Sequence, residues 1–315
     1  MLHAGTQGSE GGMRYGCDLG ARHRAEAASL RFRVAPARPA PSAPAPRLFK
    51  DVALYPFATS LRRHTLQDNA FEHFLDEGLI TKVIRPIKSG KEASVHLCRA
   101  NPSTTGETLA ALKVFHPPDR RAFRDEGLYR DGEFIKERRI RVAVEKKTTF
   151  GKEVAAAIWV DREWEMLGTL FEAGADVPRP LMRSDRALLM TYIGDEDDAA
   201  PQLRSYRPDP DEAEELFRQV LRNVELFLYR NVIHGDLSAY NILVWEGQAT
   251  LIDLPQAVDP RKNRHARGLL ERDLFRVCEH FERFGVQRSA GQLTADMWTA
   301  WQFADLVPEE LRGLV

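Results

Sequence analysis

Apolar residues begin to recur regularly near Asp68, where Phe71, Phe74, Leu75 and Leu79 fall at helical spacing and Gly78 offers a stop. A β-rich stretch follows. Residues 80–87 and 93–98 read as strands around the turn Lys88-Ser89-Gly90-Lys91-Glu92, and residues 109–115 read as a third strand. Residues 117–153 are dense in charge with little period and are expected to be a mobile insertion. A helix is predicted from about residue 153 to 172, stopped by Gly174 and the Pro178/Pro180 pair. Residues 186–193 read as a strand ending in Gly194, and Asp195-Glu196-Asp197-Asp198 as a solvated acidic linker. A long helix over 209–230 carries Leu216, Val220, Val224 and Phe227 on one face. A hairpin (242–245 with 249–252) and helices near 267–284 and 294–304 close the pattern. The expected architecture is α+β and bilobal: a small β-rich lobe over 48–194 and a reduced helical lobe over 195–315.

Composition changes the picture only at the N-terminus. Residues 1–47 are rich in Pro, Ala and Arg, bury too little apolar surface to offset ordering entropy, and are expected to be a disordered tail. A basic arm that touches RNA or a partner is the alternative. Forty-five Lys+Arg against 46 Asp+Glu leave a formal net charge of -1, so global charge gives no argument for nucleic-acid binding. Cys17, Cys98 and Cys278 are far apart and lack a CxxC spacing, which argues against a disulfide framework or a zinc site. No apolar run has the length of a membrane span, and the start lacks the compact apolar core of a signal peptide. A cytoplasmic protein with no membrane partner is expected.

The chemistry concentrates in four places. In His234-Gly235-Asp236-Leu237-Ser238-Ala239-Tyr240-Asn241, an Asp and an Asn five positions apart can face one cavity from an irregular loop. The Asp can orient and deprotonate a hydroxyl nucleophile, and the Asn can ligate Mg2+ through its amide oxygen. Leu251-Ile252-Asp253 puts an acid at a strand end a dozen positions later, where a kinase holds its metal-binding Asp. Lys113 stands in an apolar strand, where an ammonium is costly to bury without a partner. Its kinase counterpart pairs with phosphates and a helix Glu, for which Glu163 is the choice and Glu165 the fallback. Read as a partly buried cation, Lys113 is expected to be replaceable by Met at little cost to the fold. Ser89-Gly90-Lys91-Glu92-Ala93-Ser94 is a small-residue turn whose backbone N–H groups can approach phosphate oxygens. The bland alternatives are a polar turn for 234–241 and a strand-ending Asp for 253; the loop at 89–94 is neither a Walker A sequence nor the usual triple-glycine kinase loop. Trp159, Trp164, Trp298 and Trp301 read as packing residues, His234 as a shape-holding residue, and Glu145-Lys146-Lys147 as a solvated face, with an RNA site as its alternative.

Together these motifs resemble the RIO family of atypical protein kinases, from roughly residue 66 to 285. The resemblance also rests on Val177-Pro178-Arg179-Pro180, Leu189-Met190-Thr191-Tyr192-Ile193-Gly194, Leu254-Pro255-Gln256-Ala257-Val258 and Arg272-Asp273-Leu274. The loop and leading helix look like the type-1 branch and residues 252–256 look closer to type 2; with no winged-helix lead-in before them, the chain resembles the type-1-like (bacterial/archaeal-type) branch. The resemblance implies a two-lobed kinase fold with ATP and Mg2+ (or Mn2+) between the lobes. It implies Asp236 as catalytic base, with Asn241 and Asp253 as metal ligands and Asp253 as a site of phospho-aspartate chemistry. Lys113 would bind phosphate, Ser89 to Ser94 would cover it, and Met190, Tyr192 and Ile193 would contact adenine. Asp273 would brace the catalytic loop backbone. Ser238 departs from ordinary protein kinases, which carry there a Lys that steadies the γ-phosphate.

The leading expectation is a Mg-ATP-dependent serine/threonine-type protein kinase that also autophosphorylates, acting on a protein substrate. One alternative is a nucleotide-gated ATPase switch on a ribosomal or other RNP particle. The other is a small-molecule kinase of the aminoglycoside or choline type, which also favours His-Gly-Asp with a downstream Asn. The loop at 89–93, the long insertion and Leu254-Pro255-Gln256 weigh against the latter.

Overall fold

The computed structural model describes residues 69–90, 93–116 and 149–306. The expectations for 1–47, for most of the insertion (117–148), and for Lys91 and Glu92 lie outside the described residues.

Helix α1 (Asn69–Asp76) precedes strands β1 (Ile80–Ser89) and β2 (Ala93–Ala100), a short helix α2 (Pro102–Thr105) and strand β3 (Leu109–Phe115). Helix α3 (Thr149–Glu172) is followed by β4 (Pro180–Arg183) and β5 (Ala187–Thr191). The remainder is helix α4 (Pro210–Tyr229), the hairpin β6 (Ile242–Trp245) and β7 (Gln248–Leu251), and helices α5 (Ala266–Glu282) and α6 (Ala290–Leu306). The five-stranded sheet is antiparallel, in the order β1-β2-β3-β5-β4. The order of elements is therefore a sheet with one long helix, then a helical half carrying one small hairpin.

Several features differ from the sequence pattern, among them the short helix α2, which the pattern does not show. Residues 149–153 belong to the first turns of α3 rather than to the insertion. Once Val160, Leu167 and Leu170 are buried on α3, each further residue adds a hydrogen bond for little extra ordering. Strand β4 starts at Pro180, a residue read as a helix stop; Pro tolerates the first position of an edge strand.

The main core joins both halves. It runs from Phe115, Val160, Leu167 and Leu188 through Leu216, Phe217, Val220 and Phe227 to Leu251, Leu274 and Phe281. Trp159, Trp164, Trp298 and Trp301 pack against it partly buried, with the Trp298 and Trp301 rings 4.8 Å apart. Helix α4 is set by Asp209, whose side chain accepts the Glu212 N–H at 2.9 Å with Pro210 in the first turn, a cap worth about 1 kcal/mol. Its apolar stripe, Leu216, Val220, Val224 and Phe227, is buried as the pattern predicts. Among the described residues no helix is long and apolar enough to cross a membrane.

Candidate active site

Lys113 lies on the central strand β3, between Val95 of β2 and Leu188 of β5. Its ammonium sits 2.8 Å from both carboxylate oxygens of Glu163 on α3 and 2.7 Å from Oδ1 of Asp253. Glu163 is 1% exposed and Lys113 is 7% exposed, so each depends on the other for charge compensation. Burial alone would lower the Lys113 pKa, but the Asp253 and Glu163 carboxylates override it and hold the ammonium above its ordinary value. Burial raises Glu163 against the pull of Lys113, whereas Lys113 lowers Asp253. Glu165, the fallback partner, is exposed on another side of the helix.

Asp253 follows β7 at φ 72°, the left-handed region that a non-glycine residue adopts at a cost of about 1–3 kcal/mol. Its side chain is 41% exposed, so one face is open while Lys113 holds the other. The strain is over-determined by the neighbouring loop. Ile252 N–H donates to the Asn241 carbonyl at 3.0 Å, and His234 Nε2 lies 3.1 Å from the Ile252 carbonyl. A carbonyl only accepts, so this network assigns the His234 proton to Nε2 and leaves Nδ1 to accept the Asp236 N–H at 3.3 Å. Burial lowers the His234 pKa and keeps that neutral tautomer. His234 is thus a structural clasp between the two acidic loops, stacked on Phe227.

Asp236 and Asn241 face each other across the irregular loop after α4. Asn241 Nδ2 donates to the Asp236 carbonyl at 2.8 Å and approaches Asp236 Oδ2 at 3.4 Å. That commits the amide nitrogen and leaves the amide oxygen for a cation. Arg276 of α5 places Nη1 2.8 Å from Asp236 Oδ1. Asp273, one turn earlier on α5, accepts the Gly235 N–H at 2.8 Å, and Arg272 donates to the Gly235 carbonyl. Gly235 adopts φ 78°, which brings its amide to that carboxylate. Burial pushes the Asp273 carboxyl up to about 7, against Arg272 and the Gly235 and Leu237 amides.

At the meeting of β1 and β2, Ser89 pairs with Ser94 and Gly90 N–H donates to the Ala93 carbonyl at 2.9 Å. Ser94 Oγ lies 3.1 Å from His96 Nε2. Lys88, at the end of β1, adds to the positive field that lowers Asp253, so this edge overlooks the acidic loops. Met190 is buried on β5, paired with Ala111, and Tyr192 and Ile193 are half-buried at the start of the connection to the helical half. Lys113, Glu163, Asp236, Asn241 and Asp253 are therefore linked by direct or one-step contacts. Arg276 was missed by sequence reasoning, because a cation 40 positions from its acid carries no spacing signature.

Among the described residues no group of three or more His, Cys, Asp and Glu side chains converges as a metal cage. The Asp253 carboxylate and the Asn241 amide oxygen are hard oxygen donors on two loops joined by the Ile252 N–H to Asn241 carbonyl bond, and are the residues that could hold a metal. Such a set suits Mg2+, which keeps several waters and takes its other ligands from phosphates.

An antiparallel sheet with a Lys–Glu pair, joined to a helical half with paired acidic loops, defines the protein-kinase-like class. The RIO domain family model matches residues 101–293. The chain is 31% identical to the RIO-type serine/threonine-protein kinase Rio1 of Haloferax volcanii, over 71% of each protein. It is 30% identical to human serine/threonine-protein kinase RIO1 over 67% of this chain and 35% of that one. The Rio2 kinase–ADP/Mg2+–phosphoaspartate complex of Chaetomium thermophilum shares the fold, with TM-score 0.55 and 19% identity over 72% of this chain and 64% of that one. The chain belongs to the RIO domain family. It spans 35% to 46% of the human, nematode and fission-yeast RIO1 relatives.

Proposed function

We propose that this protein is a Mg-ATP-dependent phosphotransferase, an atypical serine/threonine protein kinase of the RIO type acting in the cytoplasm on a protein substrate and on itself. The observation that carries the reading is the convergence of Lys113, Glu163 and Asp253 at 2.7–2.8 Å beside the Asp236–Asn241 loop. Lys113 positions the α- and β-phosphates, and the hairpin at 89–94 covers them. Residues 190–193 meet adenine. Asn241 and Asp253 would hold Mg2+, which would supply neutralisation of the charge on the phosphates. Asp236 accepts the acceptor hydroxyl's proton as the oxygen–Pγ bond forms; the bond from Pγ to the β,γ-bridging oxygen breaks and its electron pair leaves on ADP. Mn2+ fits the same two oxygen donors.

A second reading has support from the phosphoaspartate in the Chaetomium Rio2 structure and from the half-open carboxylate of Asp253. There Asp253 itself takes the phosphoryl group from ATP, releasing ADP, and water later returns phosphate; the cycle switches association with a ribosomal or other RNP particle. One experiment separates the two. Purified protein is incubated with γ-labelled ATP, and free phosphate, acid-stable phosphoprotein and hydroxylamine-labile phosphoprotein are resolved. The kinase reading expects acid-stable label, reduced roughly 10²–10⁴-fold in Asp236→Asn with Mg-ATP affinity near normal. Label that is wholly hydroxylamine-labile selects the switch. Unchanged turnover in Asp236→Asn removes Asp236 from either mechanism.

A further inference from the structure

The catalytic loop carries an electrostatic deficit that the fold makes good from elsewhere. Transfer of a phosphoryl group concentrates negative charge beside Asp236, and ordinary kinases answer it with a Lys two positions on. Here that position is Ser238, a neutral side chain whose hydroxyl faces the Tyr240 N–H at 3.4 Å. Lys113 is engaged by Glu163 and Asp253, and Arg272 by the Gly235 carbonyl. Arg276 is different. It rises from α5 one turn beyond Arg272, its Nη1 lies 2.8 Å from Asp236 Oδ1, and its side chain is 37% exposed. The guanidinium therefore stands at the Asp236 oxygen that Asn241 does not approach, on a carboxylate 44% exposed, with four further N–H donors beyond the one in use.

We infer that Arg276 is a catalytic residue that supplies the cation missing at Ser238, orienting Asp236 in the resting site and steadying the phosphoryl group during transfer. The inference rests on the phosphotransferase reading. An Arg suits the role because its fork can hold a carboxylate through one nitrogen while presenting others to phosphate oxygens. The helix gives it a rigid base: Asp273, on the same helix, is bonded to the Gly235 amide, so α5 and the catalytic loop keep a fixed distance.

The test is a relocation of charge. Arg276→Met, Arg276→Lys and Arg276→Met combined with Ser238→Lys are compared with wild type for Mg-ATP affinity, kcat and KM of label transfer, and thermal midpoint. Arg276→Met should lower kcat by about 10²-fold, the loss typical of one charge-stabilising donor, with KM for ATP within about twofold of wild type. Arg276→Lys should keep part of the rate. Adding Ser238→Lys to Arg276→Met should restore kcat at least about tenfold without restoring any lost midpoint. A merely structural Arg276 gives the reverse: the midpoint and rate fall together and Ser238→Lys rescues neither. A faster Arg276→Met would make the contact a brake and overturn the inference, as would an unchanged one. If Arg276→Met does not fold, the Arg276→Lys comparison still decides: loss of all transfer with a native midpoint contradicts a role that any cation can share. Wild-type protein that transfers nothing sinks the phosphotransferase reading and this inference together, whereas active wild type with equally active Arg276→Met sinks the inference alone.

Discussion

At the scale of single residues, Lys113 shows how the environment changes the meaning of a side chain. Read from sequence it is a partly buried cation that the fold can lose cheaply; the geometry reverses that expectation. Removing it strands Glu163, 1% exposed, without its counter-charge. Breaking a buried pair from one side costs about 3–5 kcal/mol. Lys113→Met should therefore lose about that much stability in denaturant unfolding at neutral pH. The sign with pH follows from Glu163. Its folded-state pKa is already raised by burial and rises further without Lys113, so the native variant prefers the protonated acid. The deficit should shrink as pH falls toward the ordinary carboxylate range and grow as pH rises. Lys113→Met with Glu163→Gln should recover most of the loss while transfer stays absent. A Lys113→Met midpoint equal to wild type at pH 7 contradicts the buried-pair argument. Asp253 has the opposite profile, half-open and held by Lys113 on one oxygen. Asp253→Ala should weaken Mg-ATP binding far more than metal-free ATP binding, measured by calorimetry with and without Mg2+. Equal losses in both would remove the metal from its role.

At the scale of elements, the loops are held from three directions: by His234 from α4's end, by Asn241 across to Ile252, and by Asp273 and Arg272 from α5. The first of these titrates. His234 is neutral in the fold with its pKa lowered by burial, so the unfolded chain binds its proton more readily. Its contribution is present in full above the ordinary histidine range and is lost as pH falls through that range toward the lowered value. Asp273 and Glu163, both raised by burial, act with the opposite sign and stabilise as pH falls. The comparison must therefore be between variants. His234→Leu should lower the thermal midpoint at pH 8 and flatten its decline between about pH 7 and 5 relative to wild type. Parallel curves would mean that His234 does not titrate on unfolding. These elements also show where the sequence is legible. Asp236, Asn241 and Asp253 sit in one local stretch whose spacing reflects a loop and a hairpin, so their meeting can be read from the chain. Lys113 and Glu163 could be paired because an isolated Lys in an apolar strand demands an acid. Arg276 on Asp236 and Arg162 on the Ala257 carbonyl depend on how α5 and α3 lie in space, and long side chains leave no periodic trace. Helix α2, capped by Asn101 and ended by Gly106 at φ 75°, is only four residues long and too short to show a period.

At the scale of the whole molecule, the sheet and the helical half share a core, and among the described residues the chain leads from one to the other through the segment after β5, a passage that is tightly drawn. Gly194 adopts φ 129°, and a Cβ there would fall 2.5 Å from the Asp198 carbonyl and 2.9 Å from the Ala200 nitrogen. The turn brings Gly194 and Ala199 into a β-bridge, and Asp195 accepts the Asp198 N–H at 2.7 Å. Arg85 of β1 donates to the Asp197 carbonyl at 2.8 Å, and Arg99 of β2 pairs with Glu196. The acidic linker is exposed to solvent, as the pattern predicts, and is tied back to the sheet by Arg85 and Arg99. The two kinds of tether differ in weight. Arg99 and Glu196 are 42% and 56% exposed, so Arg99→Ala should change stability by less than about 1 kcal/mol. Gly194→Ala forces backbone to move, with conformational strain of about 1–3 kcal/mol before any clash is counted. Because Met190, Tyr192 and Ile193 lead directly into Gly194, the shift should reach the proposed adenine contacts. A ligand that binds only the folded state stabilises it by about 2.7 kcal/mol at a hundredfold excess over Kd. Wild-type protein should therefore gain in thermal midpoint with Mg-ATP, Arg99→Ala should gain as much, and Gly194→Ala should start lower and gain less at the same nucleotide concentration. If Gly194→Ala starts lower yet gains as much as wild type, the turn is a structural joint with no part in nucleotide binding, and the assignment of 190–193 to adenine loses its support.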